Sequence, residues 1–279
     1  METNNVWLVT GASKGIGLSL VKKLLASGHS VAATSRNAQS LIDAIGAPAA
    51  NFLPLEVNLA DNNSVLTAVE KSIAQFGHLD VVVNNAGYGQ IGTLEELSDM
   101  ESRENFDVNV FGTLNVIRNV MPQLRKQQKG HIFNIASIGG YHGGFPGWGI
   151  YLATKFAVAG LTESLAAEIK EFGVNATVVY PGYFRTDFLS KGSVGRPARP
   201  IEAYTAARKA EQAHINEINH QQPNDPEKAA DVLIAISQEA NPPVHLFLGK
   251  DAYDLVQDKQ NIVNKDVEQY KNYTFSTAY

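Results

Sequence analysis

Tyr151 and Lys155 stand four positions apart in the stretch GWGIYLATKFAVAG, residues 147–160, which otherwise reads as the start of an apolar helix. In a helix that spacing puts both side chains on one face. A phenol near its reference pKa of about 10 is a poor proton donor or acceptor at neutral pH, and a nearby ammonium favours the phenolate. The pair therefore has the makings of an acid–base centre. The plain alternative is two long side chains sharing a helix face, and spacing alone does not choose. Ser137, closing the run GHIFNIAS at 130–137, poses the same question. Its hydroxyl can donate to a substrate oxygen or cap a turn.

A second group of residues has the chemistry of phosphate binding. TGASKGIG, positions 10–17, lies between the apolar run VWLVTG (6–11) and a helical pattern over 17–28. In the loop formed by Gly11, Ser13, Lys14, Gly15, Ile16 and Gly17, the glycines permit a tight turn, close approach to a pyrophosphate and close helix–strand packing. The helix that follows offers unpaired N–H groups to the phosphates. The spacing is GxxxGxG rather than GxGxxG, and it lacks the Gly-Lys-Ser/Thr ending of a nucleoside-triphosphate loop, which argues against a kinase or ATPase. At the end of the second strand, where an Asp or Glu would hold a free ribose 2′-hydroxyl, the sequence AATSRN has Ser35 and Arg36. Arginine pairs with a phosphate but has no acceptor for a hydroxyl. With Lys14 as a second cation, NADP(H) is expected over NAD(H), the alternative being that both cations are merely solvated.

The elements that must position these groups alternate. Strands are predicted at 6–11, 29–36, 51–59, 79–87, 130–137, 174–182 and 244–249. Helices are predicted at 17–28, 62–77, 101–127 with a break near Pro122, and 151–172. LDVVVNNAG is almost continuously apolar before it turns polar, as expected of a strand covered on both faces. The expected fold is α/β: a doubly wound, mainly parallel sheet with helices on both faces. Residues 183–226 leave this rhythm with glycines, prolines and a polar helix, and are expected to form a substrate lid rather than a bland surface insertion. The polar, aromatic-containing tail over 250–279 is expected to pack against the body or a partner subunit.

The 279 residues are ample for a large core, and a net charge of −5 gives no reason to expect a nucleic-acid partner. The absence of cysteine excludes disulfides, cysteine nucleophiles and thiolate metal sites, and the seven histidines are scattered, so no metal is expected. The N-terminus does not read as a signal peptide and no run is long enough to span a membrane, which makes a cytoplasmic location the expectation.

Taken in order, the TGxxxGxG loop at 10–17, NNAG at 84–87, Asn109 in FDVNVFG, Ser137 in NIAS, YxxxK at Tyr151 and Lys155, and Pro181-Gly182 resemble the short-chain dehydrogenase/reductase family over roughly residues 6–190. Among its branches the chain resembles bacterial proteins similar to 17-beta-hydroxysteroid dehydrogenases, without this implying a steroid substrate. The resemblance implies a single Rossmann-type domain over 1–279, a nicotinamide cofactor, carbonyl–alcohol interconversion and a homodimer or homotetramer. It implies that Tyr151 is the acid–base group, that Lys155 also bonds the nicotinamide ribose, that Ser137 orients the substrate oxygen and that Asn109 holds a water near Lys155. It places Asn85, Ala86 and Gly87 beside the cofactor, Glu56 and Val57 near the adenine where Asp-Val is commoner, and Pro181, Gly182 and Thr186 near the carboxamide.

Gly139, Tyr141, Phe145, Trp148, Tyr183, Phe184, Phe188 and Tyr204 flank these positions or sit in the lid and would line an apolar, aromatic substrate cleft, core packing being the alternative. The leading expectation is an NADPH-dependent reductase of a hydrophobic ketone or aldehyde. An NAD-linked alcohol dehydrogenase working oxidatively and a catalytically idle cofactor-sensing protein are the alternatives.

Overall fold

The computed structural model describes residues 4–190 and 192–279. Strands run β1 Val6–Val9, β2 Ser30–Ser35, β3 Phe52–Glu56, β4 Val81–Asn84, β5 Gly89–Gln90, β6 Gly130–Ile135, β7 Val174–Pro181, β8 Val194–Gly195 and β9 His245–Leu248. Helices run α1 Gly15–Ala26, α2 Ala38–Ile45, α3 Asn62–Phe76, α4 Asp99–Phe106, α5 Gly112–Gln127, α6 Gly149–Ile169, α7 Thr205–Gln212, α8 Pro226–Ser237 and α9 Lys250–Phe275.

Seven strands form one sheet in the order β3-β2-β1-β4-β6-β7-β9, and every pairing in it is parallel. The predicted α/β, doubly wound sheet is therefore what the chain adopts. Successive residues of β1 face opposite layers. Val6 and Leu8 pack with Val65 and Val69 of α3, Val116 and Ile117 of α5 and Leu165 of α6. Trp7 and Val9 pack with Leu20 and Leu24 of α1, Leu41 of α2 and Leu233 of α8. This double covering is why the strands read as unbroken apolar runs rather than alternating ones.

Chain direction across the sheet reverses between β1 and β4, where Val9 is level with both Ala33 and Val83. A crevice opens beyond the carboxyl ends of the strands at such a switch point. The glycine loop leaves β1 there, and Asn85 leaves β4.

The helices differ from expectation in places. The helix expected over 101–127 begins at Asp99, and its irregularity falls not at Pro122 but at a π-helical turn, Asp107–Phe111, between α4 and α5. Pro122 lies inside α5 without ending it. Helices α2, α8 and α9 were not anticipated; α2 has only eight residues, and its start rests on Asn37, whose side chain accepts from Gln39 N.

The excursion after β7 contains a 3₁₀ turn, Asp187–Leu189, then β8 and α7, and α7 continues as a π-helical turn, Ala213–Ile218. Several contacts fasten it to the body, two of them in particular. β8 pairs with β5, and Glu96 accepts from Ile201 N at 2.6 Å and from Arg208 at 2.8 Å. Helix α9 buries Ala252 and Val256 near its start, while Tyr270, Tyr273 and Phe275 are exposed. Among the described residues no helix is long and apolar enough to cross a membrane, and no group of three or more His, Cys, Asp or Glu is arranged to hold a metal.

Candidate active site

The glycine loop is built by close approach. Gly11 has φ +64° and a Cβ on it would lie 2.7 Å from Ala86 Cα; a Cβ on Gly17 would lie 2.5 Å from Asn85 Nδ2. The NNAG segment clamps this loop. Asn85 Nδ2 donates to the carbonyls of Thr10 (2.9 Å) and Gly11 (3.0 Å), while Asn85 N and Ala86 N both donate to the Thr10 hydroxyl (3.1 Å each). The α1 N-terminus has no side-chain cap from Lys14, which leaves its first N–H groups directed past the loop.

The acid–base candidates converge on the other side of Gly87. Lys155, buried in α6, donates to the Ile135 carbonyl at 2.8 Å, and its Nζ stands 5.8 Å from the centroid of the Tyr151 ring. Asn109, in the π-helical turn, accepts from Tyr88 N (3.1 Å) and donates to Tyr88 O and Thr154 Oγ1 (3.0 Å each). Thr154 Oγ1 in turn donates to the Tyr151 carbonyl at 2.7 Å. A Cβ on Gly87 would sit 3.0 Å from Asn109 Oδ1 and 3.4 Å from Lys155 Nζ, so this glycine lets the two approach. Ser137 caps the short turn that follows β6, accepting from Gly139 N at 3.0 Å.

Burial dominates the electrostatics. It pushes the Tyr151 phenol upward, against a hydrogen bond to Ser137 that pulls it down. It pushes Lys155 down to about 8. Burial of the phenol is the largest cause, and the Lys155 ammonium expected to lower its pKa is not among the causes of the shift. At the far end of the cleft Lys14 is lowered, first by burial and then by the charge of Arg36. Two cations thus face one space, and Lys14 Nζ also donates to Ser193 Oγ.

One continuous cleft of about 1150 Å³ joins these groups. It is lined by the predicted Gly11, Ser13, Lys14, Gly15, Ile16, Ser35, Arg36, Val57, Asn85, Ala86, Gly87, Ser137, Tyr151, Lys155, Pro181, Gly182 and Thr186, and on its aromatic side by Gly139, Phe145, Trp148, Tyr183, Phe184 and Phe188. Gly17 and Asn109 stand behind its wall as supports.

Three predicted residues lie elsewhere. Glu56 is exposed and accepts from Ala38 N at the start of α2, because the strand ends one residue before the wall-forming Val57. Tyr141 packs edge-on against Tyr180 and Phe247 under α9. Tyr204 is exposed and bonded to Glu95. Residues not anticipated include Tyr88, Thr154, His214, Gln222 and Asp251. All but Thr154 and Asp251 line the cleft, and none sits in a local pattern that would single it out.

A profile of the short chain dehydrogenase family matches residues 5–195. The oxidoreductase BOA17 of Botryotinia fuckeliana (strain B05.10) is 32% identical over 274 residues, covering 98% of this chain and 99% of that one. The 3-ketodihydrosphingosine reductase of Bacteroides thetaiotaomicron is 33% identical over 263 residues, 94% of each chain. A crystal structure of a short-chain dehydrogenase from Streptomyces avermitilis superimposes with a TM-score of 0.90 at 31% identity, over 99% of this chain and 100% of that chain. The fold and this cleft define a Rossmann-type oxidoreductase. The chain belongs to the short-chain dehydrogenase/reductase family, and with the family comes a nicotinamide cofactor.

The residues present fit such a dinucleotide. The side-chain-free approach at Gly11, the open N-terminus of α1 and the cations of Lys14 and Arg36 give pyrophosphate and further phosphate their counterparts, and Asn85 holds that arrangement in place.

Proposed function

We propose that this protein reduces a ketone or aldehyde on a hydrophobic small molecule to the alcohol, with NADPH as the reductant. The observation that carries this reading is the convergence of Tyr151, Ser137 and Lys155 on one cleft with Lys14 and Arg36 at its other end. When bound, the nicotinamide supplies the hydride. The chain's own groups do the rest. Ser137 donates to the carbonyl oxygen and holds it beside Tyr151. Tyr151 delivers the phenolic proton to that oxygen, and the Lys155 ammonium offsets the negative charge left on the phenol. Asn109 fixes the carbonyl of Tyr88 and, through Thr154, the first turn of α6 that carries Tyr151, and it holds the water that returns a proton by way of Lys155.

The lid is residues 183–226 of a single domain spanning 1–279, with Tyr183, Phe184 and Phe188 facing the substrate. Pro181, Gly182 and Thr186 meet the carboxamide. The partners are a small-molecule carbonyl or alcohol and further copies of the chain, as a homodimer or homotetramer, in the cytoplasm. The relative named as a reductase of a keto compound supports the reductive direction.

Titration of the protein with NADPH and with NADH, followed by nicotinamide fluorescence, tests the cofactor assignment. NADPH binding should be tighter by at least about tenfold, and the Lys14→Ala/Arg36→Ala double variant should lose that margin. Equal affinity for the two nucleotides in the unaltered protein would remove the phosphate role from these cations.

A further inference from the structure

At the aromatic end of the cleft stands a pair of polar groups that the proposed chemistry does not use. His214, in the π-helical turn after α7, places Nδ1 2.7 Å from the Ala210 carbonyl and Nε2 3.0 Å from the Tyr183 hydroxyl. A carbonyl only accepts, so in the neutral ring Nδ1 carries the hydrogen and Nε2 is left as an acceptor. The Tyr183 hydroxyl must then donate to Nε2. Burial, and after it the charge of Asp251, pushes the Tyr183 phenol upward, so the proton stays in that bond. With its only hydrogen committed, the phenol oxygen of this cleft-lining residue retains acceptor capacity alone.

The pair is held from behind. Asp251, near the start of α9, accepts from Tyr183 N at 2.6 Å and from Asn224 Nδ2 at 2.7 Å, and Asn224 Nδ2 also donates to the Tyr183 carbonyl at 2.9 Å. The Trp148 ring packs against both His214 (centroids 5.0 Å) and Tyr151 (5.6 Å). The histidine that holds the acceptor and the acid–base phenol therefore both adjoin a single indole, within the span of a small molecule. The surrounding wall is largely apolar, with Phe145, Leu152, Phe188 and Leu189, although Gln90, Ser193 and Gln222 line the same cleft. A fixed acceptor in a largely apolar pocket sets orientation and selects its ligand.

We infer that Tyr183 and His214 form a hydrogen-bond acceptor site in the substrate end of the cleft, and that the carbonyl compound reduced there carries a hydroxyl or amino donor a few bonds from its carbonyl. This rests on the reductase reading above and adds the substrate class to it. A ketone lacking the donor leaves the Tyr183 oxygen desolvated and unmatched, which is the condition under which enzymes discriminate strongly.

The test is NADPH consumption on matched pairs of aliphatic ketones, each pair differing by a hydroxyl in place of a methyl at one, two or three carbons from the carbonyl. At one of these spacings the unaltered protein should favour the hydroxyketone by at least about tenfold in kcat/KM, mainly through KM. In Tyr183→Phe, which keeps the ring, that ratio should fall to about one whatever the absolute rates; in His214→Leu it should also fall, because the phenol hydrogen is released. Thermal melts of both variants establish that they are folded. No preference at any spacing, or a preference that survives Tyr183→Phe, overturns the acceptor site while leaving the reductase reading intact. NADPH binding without consumption on any carbonyl overturns both.

Discussion

Tyr151 holds its proton more tightly in this fold than in water, while Lys155 holds its own less tightly, and both effects come from burial. The consequence for a reductase is a pH profile governed by one of the two. The phenol stays protonated and able to donate across the working range. The ammonium, with a pKa of about 8, is lost above that pH. In the reductive direction kcat/KM should be level below about pH 8 and fall up to tenfold per pH unit above it. A falling limb that begins near 10 instead would mean that Lys155 keeps its charge and the burial argument is wrong. Tyr151→Phe should lower kcat by about 10²- to 10⁴-fold while NADPH affinity, read by fluorescence, stays within a few-fold. That Ser137, Tyr151 and Lys155 share one cleft was legible in the sequence, because they stand in the order of the family motifs that the chain resembles. The direction of the Tyr151 shift was not, since it depends on how much water the folded cleft removes. His214 and Asp251 were not legible either: each is brought to the cleft from far along the chain, and nothing adjacent to it marks it.

At the scale of elements, the site depends on contacts between segments that leave no room or no charge unpaired. Gly17 is one such contact, since a Cβ there would lie 2.5 Å from Asn85 Nδ2 and 2.8 Å from Gly11 O. Gly17→Ala should therefore displace Asn85 from its two carbonyl partners and cost about 1–3 kcal/mol of stability, as overpacking does. Denaturant melts and an NADPH titration on the same sample check it. Unchanged stability together with unchanged affinity would show that the loop relaxes around the methyl group. Glu96 is the other. Its side chain is fully buried. Burial raises its pKa, yet the N–H groups of Thr93 and Ile201 and the charge of Arg208 together hold it below the usual carboxylate range. Glu96→Gln should unpin the 183–226 segment and raise KM for a carbonyl substrate more than it lowers kcat. The stability cost should be below the about 3–5 kcal/mol of a fully broken buried pair, because Arg208 keeps Glu211 at 2.9 Å. A pure kcat effect would place the role of Glu96 in chemistry rather than in holding the lid. The strands from which the Gly11 loop and the Asn85 segment leave were readable because both of their faces are covered. Tyr141 and Tyr204 were misplaced because an aromatic residue near a site reads the same whether it faces the cleft, α9 or solvent.

For the whole molecule, the sheet that orders the site also stores an acid-sensitive group. His131 lies on β6, next to both β4 and β7, and is 4% exposed. The Thr177 hydroxyl donates to the Pro243 carbonyl at 2.6 Å, so it accepts from His131 Nε2 at 2.9 Å, which fixes the hydrogen of the neutral ring on Nε2. The ring is stacked on Phe133 with centroids 3.9 Å apart. Charging it there is disfavoured by burial, which lowers its pKa to about 4 from an unfolded value of 6.5. The folded pKa is below the unfolded one, so between these values the unfolded chain binds more protons. Stability from this group is therefore whole above pH 6.5 and is lost as pH falls toward 4, by roughly 3 kcal/mol in all. Urea midpoints measured at pH 7.5, 6.5, 5.5 and 5 sample this window before most carboxylates titrate. His131→Gln retains an N–H for Thr177 but does not titrate, so it should start lower at pH 7.5 and lose markedly less stability down to pH 5. If the variant falls as steeply as the unaltered protein, the acid sensitivity belongs to another histidine and the sheet interior is not its source.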